Sequence, residues 1–534
     1  MLFRRAILAG FALAVAVALV ALLVRVIAPG GWTWAKLAML LGLAGQAPWI
    51  GLCAANGTIG FLRLLRGLPP PAPPAGQLPR TAIVVTVRNE AMPPVLASLR
   101  ALLDGLDDDR FAGFVLSDGD AAREACERAA CAADPRLRYR RRPSNDGYKA
   151  GNVMDFLDHG ADGFDLMLVL DADSVMSATA VRRLAGMMQA DRRLGLVQHL
   201  TVGLPAASPF PRLFQFGMRA GMRSWAAGQD WWQGDEGPYW GHNAMLRVAA
   251  FRAHARMPLL PDGSAILSHD QVEAALLRAA GWGVRVLVQE DGSREANPTT
   301  LPEFLRRDAR WLAGNLQYRH LLTRPGIRPM GRWQLLQAIL LFTGAPFALL
   351  FLAGAAGAAA TDRISPFPAG PAFALTIAWL LGMYAPKLLG YAQLLIVPAA
   401  RARYGGMRRV LAGIAAEKLF TLLLDPVAQV SKTGAMLRVL TGRGAFWAAQ
   451  DRAARGVPWR VAARAFWPHT LIGAAALLCF AQAGPLALLW SLPFVGGLLV
   501  AIPFCVATAD PRLGDWLRRH GVAAMPEEVE PPGP

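Results

Sequence analysis

Apolar residues are not spread evenly along this chain of 534 residues. Residues 6–28 are almost uninterrupted Ala, Val, Leu and Ile, and 37–62 form a second apolar run. A bilayer is crossed by about 20 such residues, so each run predicts a spanning helix. Arg4 and Arg5 precede the first run and Arg63 and Arg66 end the second, which places both flanks on the cytoplasmic side. The first run is long for a signal peptide, and Arg25-Val26 offers no small-residue cleavage site. Four more spans are predicted at 334–356, 371–390, 467–484 and 486–508. Residues 411–440 are apolar but interrupted by Glu417, Lys418, Asp425, Pro426 and Lys432, with arginine-rich loops on both sides. One crossing would send a basic loop outside, so an amphipathic segment lying in the interface is expected. The competing reading is a pair of short crossings.

The stretch between the two apolar ends has a different rhythm. TAIVVTV (81–87), GFVLSD (113–118), LRYRRRP (137–143) and DLMLVLD (165–171) read as short strands. Between and after them, 93–106, 121–130, GNVMDFLDHG and 178–190 have helical spacing. Strands alternating with helices predict an α/β domain with a mostly parallel sheet and helices on both faces. The expected organisation is therefore two spans in 1–68, a Pro-rich linker in 69–79 and a cytoplasmic domain in 80–330. Two spans follow in 331–400, an interfacial segment in 401–440 and a cytoplasmic segment in 441–464. The last two spans fall in 465–510, before a cytoplasmic tail in 511–534.

Composition changes the picture only slightly. A net charge of +17 invites a nucleic-acid reading, but the chain is 54% hydrophobic and its apolar residues sit in spans. The charge fits basic cytoplasmic loops, and no nucleic acid is expected. The five cysteines have no metal-site spacing.

Candidate chemistry lies where strands end. The first strand runs into Asn89-Glu90, the second reaches Asp118, and the fourth reaches Asp171 and Asp173. One acid after a strand is often a helix cap. Three at neighbouring strand ends concentrate negative charge, and a divalent cation is the simplest offset. Alternation along an extended segment would turn Asp171 and Asp173 to one side. Oxygen ligands suggest Mg²⁺, or Mn²⁺, with substrate phosphates completing the shell. Asp270, in Ser268-His269-Asp270 before a helix, is either an N-cap or a general base. Arg307 and Arg310 share a helix face and suit a pyrophosphate, and Trp311 could stack a sugar ring. The bland alternative is a solvated basic face near a membrane.

These motifs, in this order between spans, resemble the processive family 2 glycosyltransferases of the cellulose-synthase group, marked by D, DxD, TED and QxxRW. Closer still, VLDADSVM, QFGMRAGM, WWQGDEGPYWGHNAMLR, ILSHDQVEAALLRAAGWGV and RRDARW resemble the glucans biosynthesis glucosyltransferase H family, in which SHD and RxxRW are the expected forms. The resemblance covers about 80–330 strongly and the later spans more loosely. It implies a GT-A-like domain inserted between transmembrane helices of a multi-span protein in the bacterial inner membrane. A long N-terminal cytoplasmic extension of some members is expected to be missing.

The implied reaction joins glucose from UDP-glucose to a growing β-glucan by inverting single displacement. The implied product is an osmoregulated periplasmic glucan, with a β-1,2 backbone suggested. Glu90 and Asp118 would hold the uridine and ribose, Lys149 the diphosphate region, and Asp171 would face the donor. Asp173, with Asp171, would take the metal, and Asp270 would be the base. Arg307 and Arg310 would hold the diphosphate. Trp311, Trp240, His242 and Asn243 would bound the acceptor, and Phe446 and Trp447 would sit on a gating loop. Tyr384 and Lys387 could line an export path, though Lys387 could also snorkel. Acyl carrier protein and a periplasmic glucan-processing protein are partners implied at family level. Rival readings are a synthase of another β-linked polysaccharide, a nucleotide-sugar hydrolase, and a non-catalytic transporter or scaffold. That last reading predicts loss of an acid or of a motif arginine, and none is lost.

Overall fold

The computed structural model describes residues 1–69, 76–362, 368–443 and 455–529. The chain opens with two long apolar helices, α1 (Leu2–Ile27) and α2 (Trp34–Arg66), packed along each other. Thr33 caps α2 by accepting from the Lys36 amide at 3.4 Å.

An α/β unit follows. Its strands are β1 (Thr81–Val87), β2 (Phe111–Ser117), β3 (Leu137–Arg141), β4 (Leu166–Asp171), β5 (Val175–Met176), β6 (Leu194–His199), β7 (Val202–Gly203), β8 (Ala244–Arg247), β9 (Gly283–Leu287) and β10 (Ser293–Glu295). Its helices are α3 (Met92–Leu106), α4 (Glu124–Ala132), α5 (Tyr148–His159), α6 (Ala178–Ala190), α7 (Pro209–Gln233), α8 (Val248–His254), α9 (Asp270–Ala279) and α10 (Leu301–Gln317). The main sheet runs β3-β2-β1-β4-β8-β6-β9, parallel except that β8 is antiparallel to both neighbours. Its two faces bury separate cores. One holds Ile83, Val85, Leu99, Val115, Leu168 and Leu184. The other holds Val84, Phe114, Phe156, Met167, Val169 and Leu246. Alternation along β1 and β4 produces this two-sided burial, which only a sheet covered on both faces can satisfy. A small second sheet, β5-β10-β7, lies at the end of β4.

After the domain come α11 (Pro329–Thr361), α12 (Ala369–Met383), α13 (Ala385–Ile396), α14 (Pro398–Ala402), α15 (Met407–Leu440), α16 (Trp459–Gln482), α17 (Pro485–Leu499), α18 (Ala501–Thr508), α19 (Pro511–Arg519) and α20 (Pro526–Val529). Among the described residues four helices, α1, α2, α11 and α16, are long and apolar enough to cross a membrane. The pairs α12–α13 and α17–α18 would each make another span, bent by 75° and 60°. The apolar runs at 371–390 and 486–508 read as straight spans in sequence, but each is broken. Pro386 and Pro503 stand just after the breaks, where a proline ring excludes the preceding turn's carbonyl. Two of the polar residues interrupting α15 face partners at the first of these breaks. Tyr384 donates to Asp425 at 2.5 Å, and Lys387 to Glu417 at 2.7 Å.

Helices α7, α9 and α10 join the domain to the apolar bundle, α9 by packing against α11. α7 packs against α2, α13 and α15, and α10 packs against α15. Lys432 of α15 lies 3.1 Å from Asp308 of α10.

Candidate active site at the carboxyl edge of the sheet

β2, β1 and β4 are adjacent, so the three acid-bearing strand ends meet at one rim. Ligands bind at this edge of open α/β sheets. The loops there are held in unusual backbone geometry: Asn89, Tyr148 and Asn243 all have positive φ. Such conformations cost energy in non-glycine residues and persist where surrounding structure enforces them.

Asp118 follows β2 and makes a two-pronged pair with Arg142, at 2.5 and 2.9 Å, with both side chains under one-tenth exposed. Arg142 also donates to the carbonyls of Asp146 and Tyr148, both at 2.7 Å. It thereby shapes the turn that starts α5 and delivers Lys149. The Glu90 carboxylate accepts from the Arg88 amide. Lys149 bonds Asp171 and donates to the Gly241 carbonyl at 2.7 Å. Burial alone would raise Asp171, but Lys149, His242 and His269 hold its carboxyl at about 2, so it is ionised.

The expectation of an extended segment through Asp171 and Asp173 is corrected here. β4 stops at Asp171 because the Ser174 amide turns back to the Asp171 carbonyl at 3.0 Å, and Asp173 lies in that turn. The turn feeds β5, which pairs with β10 and brings Glu295 into the site. Glu295 carried no sequence signal. It lies 3.1 Å from His242 Nε2, and burial raises its carboxyl, with Asp173 and Asp171 adding to the shift.

Asp270 is the first residue of α9 rather than its cap. His269 holds the capping position without a side-chain cap bond. The Asp270 carboxylate accepts from Tyr318 at 3.2 Å, a buried partner the motif reading had not identified. Its neighbour His269 bonds Glu273 at 2.6 Å. Burial opposes its protonated form, but Glu273 turns the balance and raises the imidazole. Gly241, at φ +87°, brings its loop against this aspartate; a Cβ there would lie 3.5 Å from Asp270 Cβ. Gly314 of α10 lets that helix press on the same segment, since a Cβ would meet Ser268 Oγ at 2.1 Å.

Arg307 stacks under Trp311 at 4.5 Å and between Phe304 and Phe214 at 5.5 and 5.6 Å. Burial lowers its guanidinium against the attraction of Asp308, Glu295 and Asp173. Its Nε is buried without a hydrogen-bond partner among the described residues. Arg310 lies one turn on and is half-buried, and Trp311 is 46% exposed.

The donor set suits a divalent cation only in part. Among the described residues no group of three or more His, Cys, Asp or Glu side chains is arranged to hold an ion alone. One or two carboxylates suffice where a diphosphate supplies the other oxygens, and Asp171 and Asp173 are oxygen donors of that kind.

Residues 166–392 match the family model described as glycosyl transferase family group 2. A glucans biosynthesis glucosyltransferase H from Rhodopseudomonas palustris (strain TIE-1) is 34% identical, over 95% of this chain and 75% of the relative. One from Xylella fastidiosa (strain 9a5c) is 33% identical, over 99% of this chain and 89% of the relative. The chain belongs to the glucans biosynthesis glucosyltransferase H family. This family member is a glucan glycosyltransferase with a GT-A-like domain and helices able to span a membrane. Among solved structures, a mannosyltransferase, PcManGT from Pyrobaculum calidifontis in complex with GDP-Man and Mn2+, is similar at 16% identity with a TM-score of 0.45. The likeness covers 67% of this chain and 99% of that one.

In this glucosyltransferase H family member the expected acceptor residues differ in burial. His242 is partly buried beside Glu295. Asn243 is wholly buried and donates to Ser293 Oγ at 3.0 Å. Trp240 lies half-buried against Leu64, Leu200 and Val288. Trp225, Trp231 and Trp232 pack toward α1 and α2, with Trp232 donating to Asn56 at 2.9 Å. Phe446 and Trp447 fall outside the described residues.

Proposed function

We propose that this protein polymerises glucose from UDP-glucose into a β-linked, osmoregulated periplasmic glucan, with a β-1,2 backbone, by inverting single displacement. The acceptor hydroxyl gives its proton to Asp270 while its oxygen bonds C1 of the donor glucose. The bond from C1 to the diphosphate breaks on the opposite face, so configuration inverts and UDP leaves. Asp118, Glu90 and the Arg142-held turn bind the nucleoside end. Lys149, Arg307 and Arg310 take the diphosphate, where arginine forks pair phosphate oxygens. Asp173 and Asp171 would hold a Mg²⁺ or Mn²⁺ ion, which would supply further neutralisation of the leaving group. Trp311, Trp240 and His242 bound the acceptor.

The observation that carries this reading is the short chain of contacts from donor acid to base. Asp171 bonds Lys149, Lys149 bonds the Gly241 carbonyl, and Gly241 abuts Asp270. Processive addition is supported by the packing of α10, which carries Arg307 and Trp311, against α11 and α15. The glucan would pass outward across the bacterial inner membrane, with the domain in the cytoplasm and with polar groups such as Tyr384 and Lys387 at the helix break. Purified protein given UDP-glucose and Mg²⁺ is expected to release UDP and form β-glucan, and Asp270→Asn to abolish both. UDP release without polymer would replace this reading with a hydrolase. Inverted vesicles are expected to accumulate glucan in their lumen, and glucan found only outside would remove the export step.

A further inference from the structure

The end of α10 holds the segment that carries Asp270. Gln317, the last residue of α10, accepts from the Leu267 amide at 2.8 Å. Tyr318, the next residue, donates to Asp270 Oδ1 at 3.2 Å. Gly314, a turn earlier, lets α10 close on Ser268. These contacts span Leu267 to Asp270. The Tyr318 ring is fully buried and packs with Ile266, Val272, Ala275 and Leu335, so its hydroxyl has little freedom. Burial, and then the Asp270 charge, raises the phenol, so it keeps its proton. A carboxylate only accepts, which fixes the direction of the bond. At 3.2 Å it is long for a hydroxyl donor, as catalytic hydrogen bonds often are before substrate binds. His269, the neighbour of Asp270, bonds Glu273 instead.

α10 also carries Arg307, Arg310 and Trp311. One helix therefore joins the proposed diphosphate grip to the proposed base. We propose that Gln317 and Tyr318 are positioning residues for the transfer: Gln317 fixes the backbone before Asp270, and Tyr318 fixes the carboxylate through Oδ1, so that Oδ2 takes the acceptor proton. Both act through Asp270 and not on the substrate. The inference rests on Asp270 being the base, as in the function proposed above.

Steady-state kinetics of the full-length protein with UDP-glucose and Mg²⁺ test it, with UDP affinity read by calorimetry. Tyr318→Phe keeps the ring and removes the donor. Its kcat should fall about tenfold or more, the effect of one lost bond to a charged group. KM for UDP-glucose and UDP affinity should stay within about twofold, because the donor grip is untouched. Gln317→Leu should lower kcat in the same way. Gln317→Glu keeps an acceptor oxygen for the Leu267 amide and should turn over near wild type. Unchanged kcat in Tyr318→Phe, or equal losses in Gln317→Glu and Gln317→Leu, would overturn the proposal. So would a fall in kcat matched by a fall in UDP affinity, because a merely structural role moves both. Should Tyr318→Phe fail to fold, the Gln317 pair decides alone. Asp270→Asn separates the two levels. Transfer retained in that variant would remove the base itself. An inactive Asp270→Asn beside an unchanged Tyr318→Phe would remove only the positioning role.

Discussion

Glu290 holds four segments together, and its removal should loosen the protein by a definable amount. It lies between β9 and β10, 5% exposed, 3.0 Å from Arg219 of α7 and 2.7 Å from Arg403 after α14. Arg219, 1% exposed, also meets Glu527 of α20 at 2.6 Å, so the C-terminal helix joins the same network. Burial alone would raise the Glu290 carboxyl, but Arg219, Arg223 and Arg403 hold it at about 2, against an ordinary 4.5. A depressed carboxyl stabilises the fold fully above 4.5, and that stabilisation is lost as pH falls from about 4.5 through about 2. At 1.36 kcal/mol per pH unit the full effect is about 3 kcal/mol. Glu290→Gln keeps the shape and removes the charge, leaving Arg219 buried with one partner fewer. Breaking a buried pair in this way costs about 3–5 kcal/mol, in line with the first figure. Because about 1 kcal/mol moves melting by 2–4 °C in a domain of this size, the variant should melt roughly 6–12 °C lower at pH 7. Scanning fluorimetry in detergent reads this directly, and the gap should narrow as pH is lowered from about 5 toward 3. Equal melting at pH 7, or a gap that stays constant on acidification, would refute the charge argument.

Other changes test the site. Asp118→Asn leaves the buried Arg142 without its charged partner, so the turn carrying Lys149 should loosen and UDP affinity fall by about tenfold or more; unchanged affinity in calorimetry would contradict it. Arg307→Lys keeps a positive charge but loses stacking on Trp311 and the two-pronged grip on phosphate. Its UDP affinity should drop about tenfold, and a purely packing role would lower the melting temperature instead. Gly314→Val should push the Ser268 segment away from α10 and lower kcat about 100-fold while UDP binding persists, the signature of a displaced base.

Local periodicity carried much of this protein. The six apolar runs, the four strands from 81 to 171 and their intervening helices are properties of a few consecutive residues, and each stands close to where the spacing put it. The acids at the rim were legible for the same reason: a strand that ends in a carboxylate announces itself. What no window of sequence held was the company those residues keep. Asp173 reaches the site through a turn set by Ser174, not along an extended strand. Glu295 arrives because β10 pairs with β5, an encounter between segments far apart in the chain. Tyr318 on Asp270, Arg142 on Asp118 and the break at Tyr384 likewise depend on packing between distant elements. Strand and helix follow from side-chain spacing along the backbone. Which carboxylate is neutralised and which helix bends are decided only when remote segments exclude water from one another.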